Sequence, residues 1–181
     1  MLHRQPLKEL LRRKSIKRGN FTLASGRKSD YYLDCRLTTL DPEGAALTGY
    51  TILELLASHG IIADAIGGLT LGADPIVAAV ATISFLEKKP LPAFIVRKQT
   101  KSHGTQKRIE GIDEKEISRV VIVDDVCTTG ESTFEAISAA EAAGLQVVAV
   151  ISLVDREEGG SERLREKYLY LPVFTAKELL Q

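Results

Sequence analysis

The run Val-Val-Ile-Val-Asp-Asp at residues 120–125 restricts the folds open to this chain more than any other segment. Four consecutive β-branched residues show no apolar–polar alternation, so both faces of the strand they form must be covered. That is the pattern of a central parallel strand held between helix layers. Asp124 and Asp125 then stand at the carboxyl end of that strand, the ligand side of an open α/β sheet. Thr128, Thr129 and Gly130 follow with short hydroxyls and a permissive backbone. A helix beginning near Ser132 would turn free N–H groups and the positive end of its dipole toward an anion. One stretch thus joins acids suited to hydroxyls or a hydrated metal with amides suited to a phosphate.

The rest of the chain supports an α/β rhythm. Leu7, Leu10 and Leu11 place an apolar stripe on a basic N-terminal helix, with Gly19 and Asn20 as its expected stop. Residues 21–37 have strand-like positions on either side of Ser25 and Gly26, which predicts a hairpin with a polar, basic tip. Pro42 opens a helix through Leu47, Tyr50, Ile52, Leu55 and Leu56, closed by Gly60. A short strand over 63–66, a Gly-rich turn over 67–72 and an Asp74 N-cap followed by Pro75 lead into a helix reaching about Lys88. Strands over 93–96, 120–123 and 147–154 follow, with a helix over 134–143 stopped by Gly144. Thr175 and Glu178 form a capping box for a final helix. Strands alternating with helices predict a doubly wound, mainly parallel central sheet flanked by helices. No repeat or linker divides the chain, so residues 1–181 are expected to form a single domain.

Composition narrows the function. Lys and Arg number 24, and Asp and Glu also 24, so no global field marks a nucleic-acid binder and any anion site must be a local cluster. The N-terminal segment carries charges where a leader would need an apolar core, and no run approaches the ~20 apolar residues of a membrane span. A cytoplasmic protein with neither a nucleic-acid nor a membrane partner is expected. Cys35 and Cys127 lack metal-ligand spacing and are expected to be reduced, Cys127 as a small turn residue. No GxxxxGK[ST] or GxGxxG segment supports a nucleoside triphosphate or dinucleotide fold.

A local cationic cluster is present. Residues 97–108 hold Arg97, Lys98, Lys101, Lys107, Arg108 and His103. Connections this long inside compact domains are commonly lids or binding loops. This one leaves one strand and returns to the strand bearing Asp124 and Asp125. Arg156 lies just past the 147–154 strand, on the same side of the sheet.

The strand, two acids and Thr-rich turn of 120–133 resemble the phosphoribosyl diphosphate (PRPP) motif of type I phosphoribosyltransferases. The loop, R-K-x-x-K-x-H-G-T from Arg97, is similar to the flexible catalytic loop of the orotate phosphoribosyltransferases. The hairpin F-T-L-x-S-G-R-K-S-x-Y-Y from Phe21 resembles their base-covering hood. The resemblance implies the type I phosphoribosyltransferase fold, with a small N-terminal hood over about residues 1–40 and a flexible loop over about 98–111. It implies transfer of ribose 5-phosphate from PRPP to N1 of orotate, giving orotidine 5′-monophosphate and diphosphate, a step of de novo UMP synthesis. A purine or uracil phosphoribosyltransferase and a non-catalytic PRPP-sensing regulator are the alternatives.

By the same resemblance, Lys101, His103, Asp124 and Asp125 are the catalytic residues. PRPP is held by Arg97, Lys98, Lys101, His103, Asp124, Asp125, Val126, Cys127, Thr128, Thr129, Gly130, Glu131 and Ser132. Orotate is held by Thr128, Arg156, Tyr31 and Tyr32. Mg²⁺ is expected through PRPP and water rather than direct protein ligands, and a homodimer with shared active sites is expected. Ala24 and the turn over 69–72 depart from the pattern, since some relatives carry basic side chains there. The backbone of 67–72 is expected to take over part of that role as an amide nest.

Overall fold

A computed structural model describes residues 1–22, 28–98 and 108–181. The chain opens with α1 (Arg4–Lys14), the hairpin strands β1 (Ile16–Thr22) and β2 (Lys28–Leu33), α2 (Arg36–Thr39) and α3 (Pro42–Ser58). There follow β3 (Ala65–Leu69), α4 (Asp74–Leu86), β4 (Ala93–Val96), β5 (Ile109–Glu110), β6 (Arg119–Cys127) and α5 (Glu131–Ala142). The chain closes with β7 (Gln146–Asp155), α6 (Gly160–Arg165), β8 (Tyr170–Thr175) and α7 (Ala176–Leu180). Six strands form one sheet in the order β5-β4-β3-β6-β7-β8, parallel except for the edge strand β5. The hairpin forms a separate two-stranded sheet.

The β-branched run behaves as its composition requires. Val120 to Val123 are each 0% exposed, and strand alternation divides them between two cores. Val121 and Val123 pack with Ile52, Ile76, Val80 and Leu11 on one side of the sheet. Val120 and Ile122 pack with Ala136, Ile137 and Leu164 on the other. Helices therefore cover both faces, and the strand ends project toward one edge where ligand chemistry can assemble. No helix among the described residues is long and apolar enough to cross a membrane.

Several boundaries differ from expectation, each for a packing reason. The first helix stops at Lys14, because Ile16 already pairs across the hairpin with Leu33. Gly19 and Asn20 lie inside β1, where the register shifts between Arg18 and Phe21, so they mark a bulge rather than a helix stop. Gly67 and Gly68 are strand residues. A Cβ on Gly67 would come within 2.4 Å of the Phe94 ring, and one on Gly68 within 2.0 Å of the Val123 carbonyl. Close approach of neighbouring strands, not a turn, is what these two positions require.

Asp74 is the first helical residue of α4 rather than its cap; its Oδ2 accepts a hydrogen bond from the Thr70 hydroxyl at 2.6 Å. The series of strands also continues past β7. The β8 segment contains Pro172, which argues against a central strand, yet β8 pairs only with β7 at the sheet edge, where a missing N–H is tolerated. The final cap forms as expected, with Thr175 Oγ1 accepting from the Glu178 amide at 3.1 Å. The hairpin tip with Ala24, Ser25 and Gly26 lies outside the described residues.

Candidate active site

The strand β6 runs on through Cys127, so Asp124 and Asp125 belong to its last residues rather than to the turn beyond it. Asp124 is 5% exposed; its Oδ2 accepts from the Thr133 hydroxyl at 2.9 Å and its Oδ1 from the Asp125 amide at 3.0 Å. Asp125 Oδ1 accepts from the Val126 amide at 2.8 Å. The turn after β3 closes over this pair. A Cβ on Gly72 would lie 2.5 Å from Asp125 Oδ1, so only glycine lets that backbone come so near the carboxylates. A cavity of about 240 Å³ results, lined by Arg36, Thr70, Gly72, Lys98, Asp124, Asp125 and Ser132 among others.

Two carboxyl groups this close and this buried disfavour joint ionisation. Burial, followed by the charge of Asp125, pushes Asp124 up to about 7. Burial raises Asp125 as well, against the pull of the nearby Arg36 guanidinium. A cation or a set of hydroxyl donors entering the cavity would relieve both.

The anion side is built by the loop from 128 to 130. Gly130 adopts a left-handed φ of 80° and no side chain caps α5, which leaves its first-turn N–H groups for a ligand. The loop carbonyls are engaged from behind by α6. Gly160 N–H donates to the Thr128 carbonyl at 3.0 Å, and Arg163 Nη1 donates to the Thr129 carbonyl at 3.0 Å.

Residues 54–176 match the phosphoribosyl transferase domain family. The orotate phosphoribosyltransferase of Nostoc sp. is 45% identical over 98% of this chain and 85% of its own length. The chain belongs to the orotate phosphoribosyltransferase family. The Mycobacterium tuberculosis orotate phosphoribosyltransferase, solved with Fe(III) dicitrate, superposes with a TM-score of 0.86 at 40% identity, covering 98% of both chains. The same enzyme solved with PRPP gives 0.82 at 38% identity, covering 99% of both chains. The fold is the type I phosphoribosyltransferase fold, and the chain is an orotate phosphoribosyltransferase-family enzyme, a pentosyl-transferring transferase.

On this orotate phosphoribosyltransferase framework, the sequence-predicted residues separate into groups. Val126, Cys127, Thr128, Thr129, Gly130, Glu131 and Ser132 run without a break from the end of β6 into the first turn of α5. Cys127 is not a turn residue: its side chain is buried in the core, and burial pushes the thiol up to about 11. Such burial disfavours the nucleophilic thiolate, and the Cys127 carbonyl accepts from the Arg156 amide at 2.9 Å. Arg156 Nε donates to Glu158 Oε1 at 2.7 Å, and the guanidinium lies 4.7 Å from the centre of the Tyr31 ring. This contact joins the hairpin to the end of β7. Tyr32 points to the other strand face, 41% exposed, with its ring centre 5.7 Å from that of Phe21.

The base of the loop expected in orotate phosphoribosyltransferases is closed by two bonds. Arg97 N–H donates to the Arg108 carbonyl at 2.8 Å, and Arg108 Nε donates back to the Arg97 carbonyl at 3.1 Å. Arg97 lies 3.8 Å from Glu110 Oε1, and Lys98 lines the cavity. Lys101 and His103 lie outside the described residues. Sequence reasoning overlooked Arg36, Thr133 and Gly160. Thr133 was legible as a hydroxyl nine residues after Asp124 in the same motif, whereas Arg36 and Gly160 reach the site only through tertiary folding.

Proposed function

We propose that the cavity framed by residues 69–72, Asp124, Asp125 and 128–132 is where ribose 5-phosphate passes from PRPP to N1 of orotate. The observation that carries this is the convergence of a buried carboxylate, Asp124, a half-buried one, Asp125, and an uncapped helix N-terminus on one cavity. Orotate N1 bonds to the anomeric carbon as the bond from that carbon to diphosphate breaks, so no covalent enzyme intermediate is needed. The barrier lies in separating an anionic leaving group from an oxocarbenium-like sugar, and charge stabilisation and alignment dominate.

Asp124 and Asp125 accept hydrogen bonds from the ribose hydroxyls, and the 128–132 amides hold the 5′-phosphate. Arg97, Lys98, Lys101 and His103 neutralise the departing diphosphate, the loop closing to exclude water. Arg156, Tyr31, Tyr32 and Thr128 orient orotate, the guanidinium matching a carboxylate. Mg²⁺ fits this donor set: the carboxyl pair, raised chiefly by burial, would offer acceptors for the ion's water shell, and the ion would supply charge neutralisation at diphosphate.

The homodimer belongs to the same reading. A groove of about 440 Å³ between α3 and α4 is lined by Leu40, Pro42, Ala46, Ala78, Ala79 and Thr82, among others. Leu40, Leu71 and Phe85 are 70%, 68% and 73% exposed. An apolar surface of this kind beside the active-site turn supports a second copy seated there. PRPP and orotate are anions that do not cross a bilayer unaided, which supports a cytoplasmic setting.

Orotate consumption followed by ultraviolet absorbance with PRPP and Mg²⁺ tests the reading, with adenine, hypoxanthine and uracil in parallel and Lys101→Ala as the comparison. Metal-dependent loss of orotate that collapses in the variant is expected; PRPP binding without turnover of any base would overturn the catalytic reading.

A further inference from the structure

The charges lining the cavity are unevenly distributed. Asp124 and Asp125 form one wall, the turn of Leu69, Thr70, Leu71 and Gly72 carries no charge, and the cations among the described lining residues are Arg36 and Lys98. A diphosphate brought against that turn needs positive charge near Asp125, the carboxylate that Gly72 touches. Asp124 is held through Oδ2 by Thr133 of α5, and its Oδ1 lies farther from the Gly72 position than Asp125 Oδ1 does. Arg36 stands on the Asp125 side, where the two groups shift each other's ionisation.

Arg36 is also held ready. Its Nε donates to Asp34 Oδ1 at 2.9 Å, its Nη2 to Asp34 Oδ2 at 3.1 Å, and its own amide to Asp34 Oδ1 at 3.1 Å. Asp34 is itself anchored, its amide donating to the Ser15 carbonyl at 2.9 Å just past α1. This fork takes one edge of the guanidinium, and among the described residues the Nη1 edge has no carboxylate partner. The Arg36 side chain remains 47% exposed, so the clamp orients it without burying it.

We infer that Arg36 is a PRPP-binding residue that contacts the diphosphate end, with Asp34 as the group that positions it. The inference rests on the reading of this cavity as the PRPP site. A planar fork held at one edge presents its remaining N–H groups to phosphate oxygens in fixed geometry, which a flexible lysine side chain does not. Arg36 thus supplies a fixed charge to the diphosphate subsite.

Calorimetric titration with Mg²⁺–diphosphate and separately with ribose 5-phosphate tests this in wild type, Arg36→Gln and Arg36→Lys, beside steady-state KM values for PRPP and orotate. Arg36→Gln is expected to weaken diphosphate binding about tenfold or more, the loss expected of one charge-assisted hydrogen bond. Ribose 5-phosphate binding and the KM for orotate should stay within about twofold, and Arg36→Lys should recover part of the loss. Equal losses for both ligands would reveal a merely structural role and overturn the assignment, as would unchanged diphosphate binding in a variant of a wild type that turns over orotate. A wild type that binds neither diphosphate nor PRPP overturns the cavity reading and the Arg36 assignment together.

Discussion

The Gly160 amide donates to the Thr128 carbonyl at 3.0 Å, which seats the start of α6 directly behind the 128–130 loop. A Cβ at Gly160 would lie 2.6 Å from the Gly130 nitrogen and 2.7 Å from the Thr128 oxygen, both backbone atoms that cannot rotate away. Gly160→Ala is therefore expected to displace the loop, costing about 1–3 kcal/mol of stability. The KM for PRPP should rise by about tenfold or more as the amides lose alignment. Thermal melts and steady-state kinetics check this together; a lowered Tm with an unchanged KM would show that α6 supports the fold but not the loop.

The buried acid pair makes both stability and binding depend on pH. Asp124 is raised by burial to about 7, above its unfolded value, so the folded protein holds this proton more tightly than the unfolded chain does. The stability it contributes is full below the unfolded carboxylate pKa and drains away as pH rises toward and through 7. Asp124→Asn should thus gain on wild type by about 2 kcal/mol between pH 5 and pH 8 in denaturant melts of ligand-free protein. Ribose hydroxyls and Mg²⁺ favour the ionised form, so PRPP affinity in wild type should fall as pH drops below 7. A stability difference flat across this range would show that Asp124 titrates normally.

The strand glycines predict a coupled pair. Gly67→Ala drives a methyl into the Phe94 ring, 2.4 Å away, and should cost about 1–3 kcal/mol through overpacking. Phe94→Leu added to it should recover part of that loss, giving a measurable interaction energy. Gly68→Ala meets the Val123 carbonyl at 2.0 Å, so no side-chain change should rescue it. Chemical denaturation of the single and double variants decides both claims.

Beyond the end of β7, Arg156, the residue proposed to hold orotate, rests 4.7 Å from the Tyr31 ring centre and is steered by Glu158. Arg156→Ala should raise the KM for orotate by about tenfold or more, as expected for loss of a charged hydrogen-bond pair. The KM for PRPP should change little. Tyr31→Phe should remain near wild type, because the contact is with the ring face rather than the hydroxyl. Equal increases in both KM values would argue that Arg156 acts on the fold rather than on the base.

Local chemistry explains why some of this was legible. Four β-branched residues cannot settle on a half-exposed strand, so 120–123 announced a covered central strand and, with the acids and Thr-Thr-Gly behind it, the turn into the next helix. Thr175 and Glu178 announced a cap because capping depends on residues three apart. Gly19 and Gly67 were misread for the converse reason: a glycine looks alike at a helix stop, a bulge and a close strand crossing, and only the partner strand distinguishes them. No strand was expected over 170–175, and whether the missing N–H of Pro172 matters there depends on the strand being at an edge.

The amino-acid sequence alone determined the covered central strand, its acids and the helix start beyond them, because strand periodicity and helix-terminal chemistry act within a few residues. Only the tertiary structure decided that Gly72 would touch Asp125, that Arg36 would line the same cavity from 88 residues before Asp124, and that Gly160 would brace Thr128. Those contacts arise from where the crossovers place the strand ends, and no local pattern encodes the distance between groups so far apart along the chain.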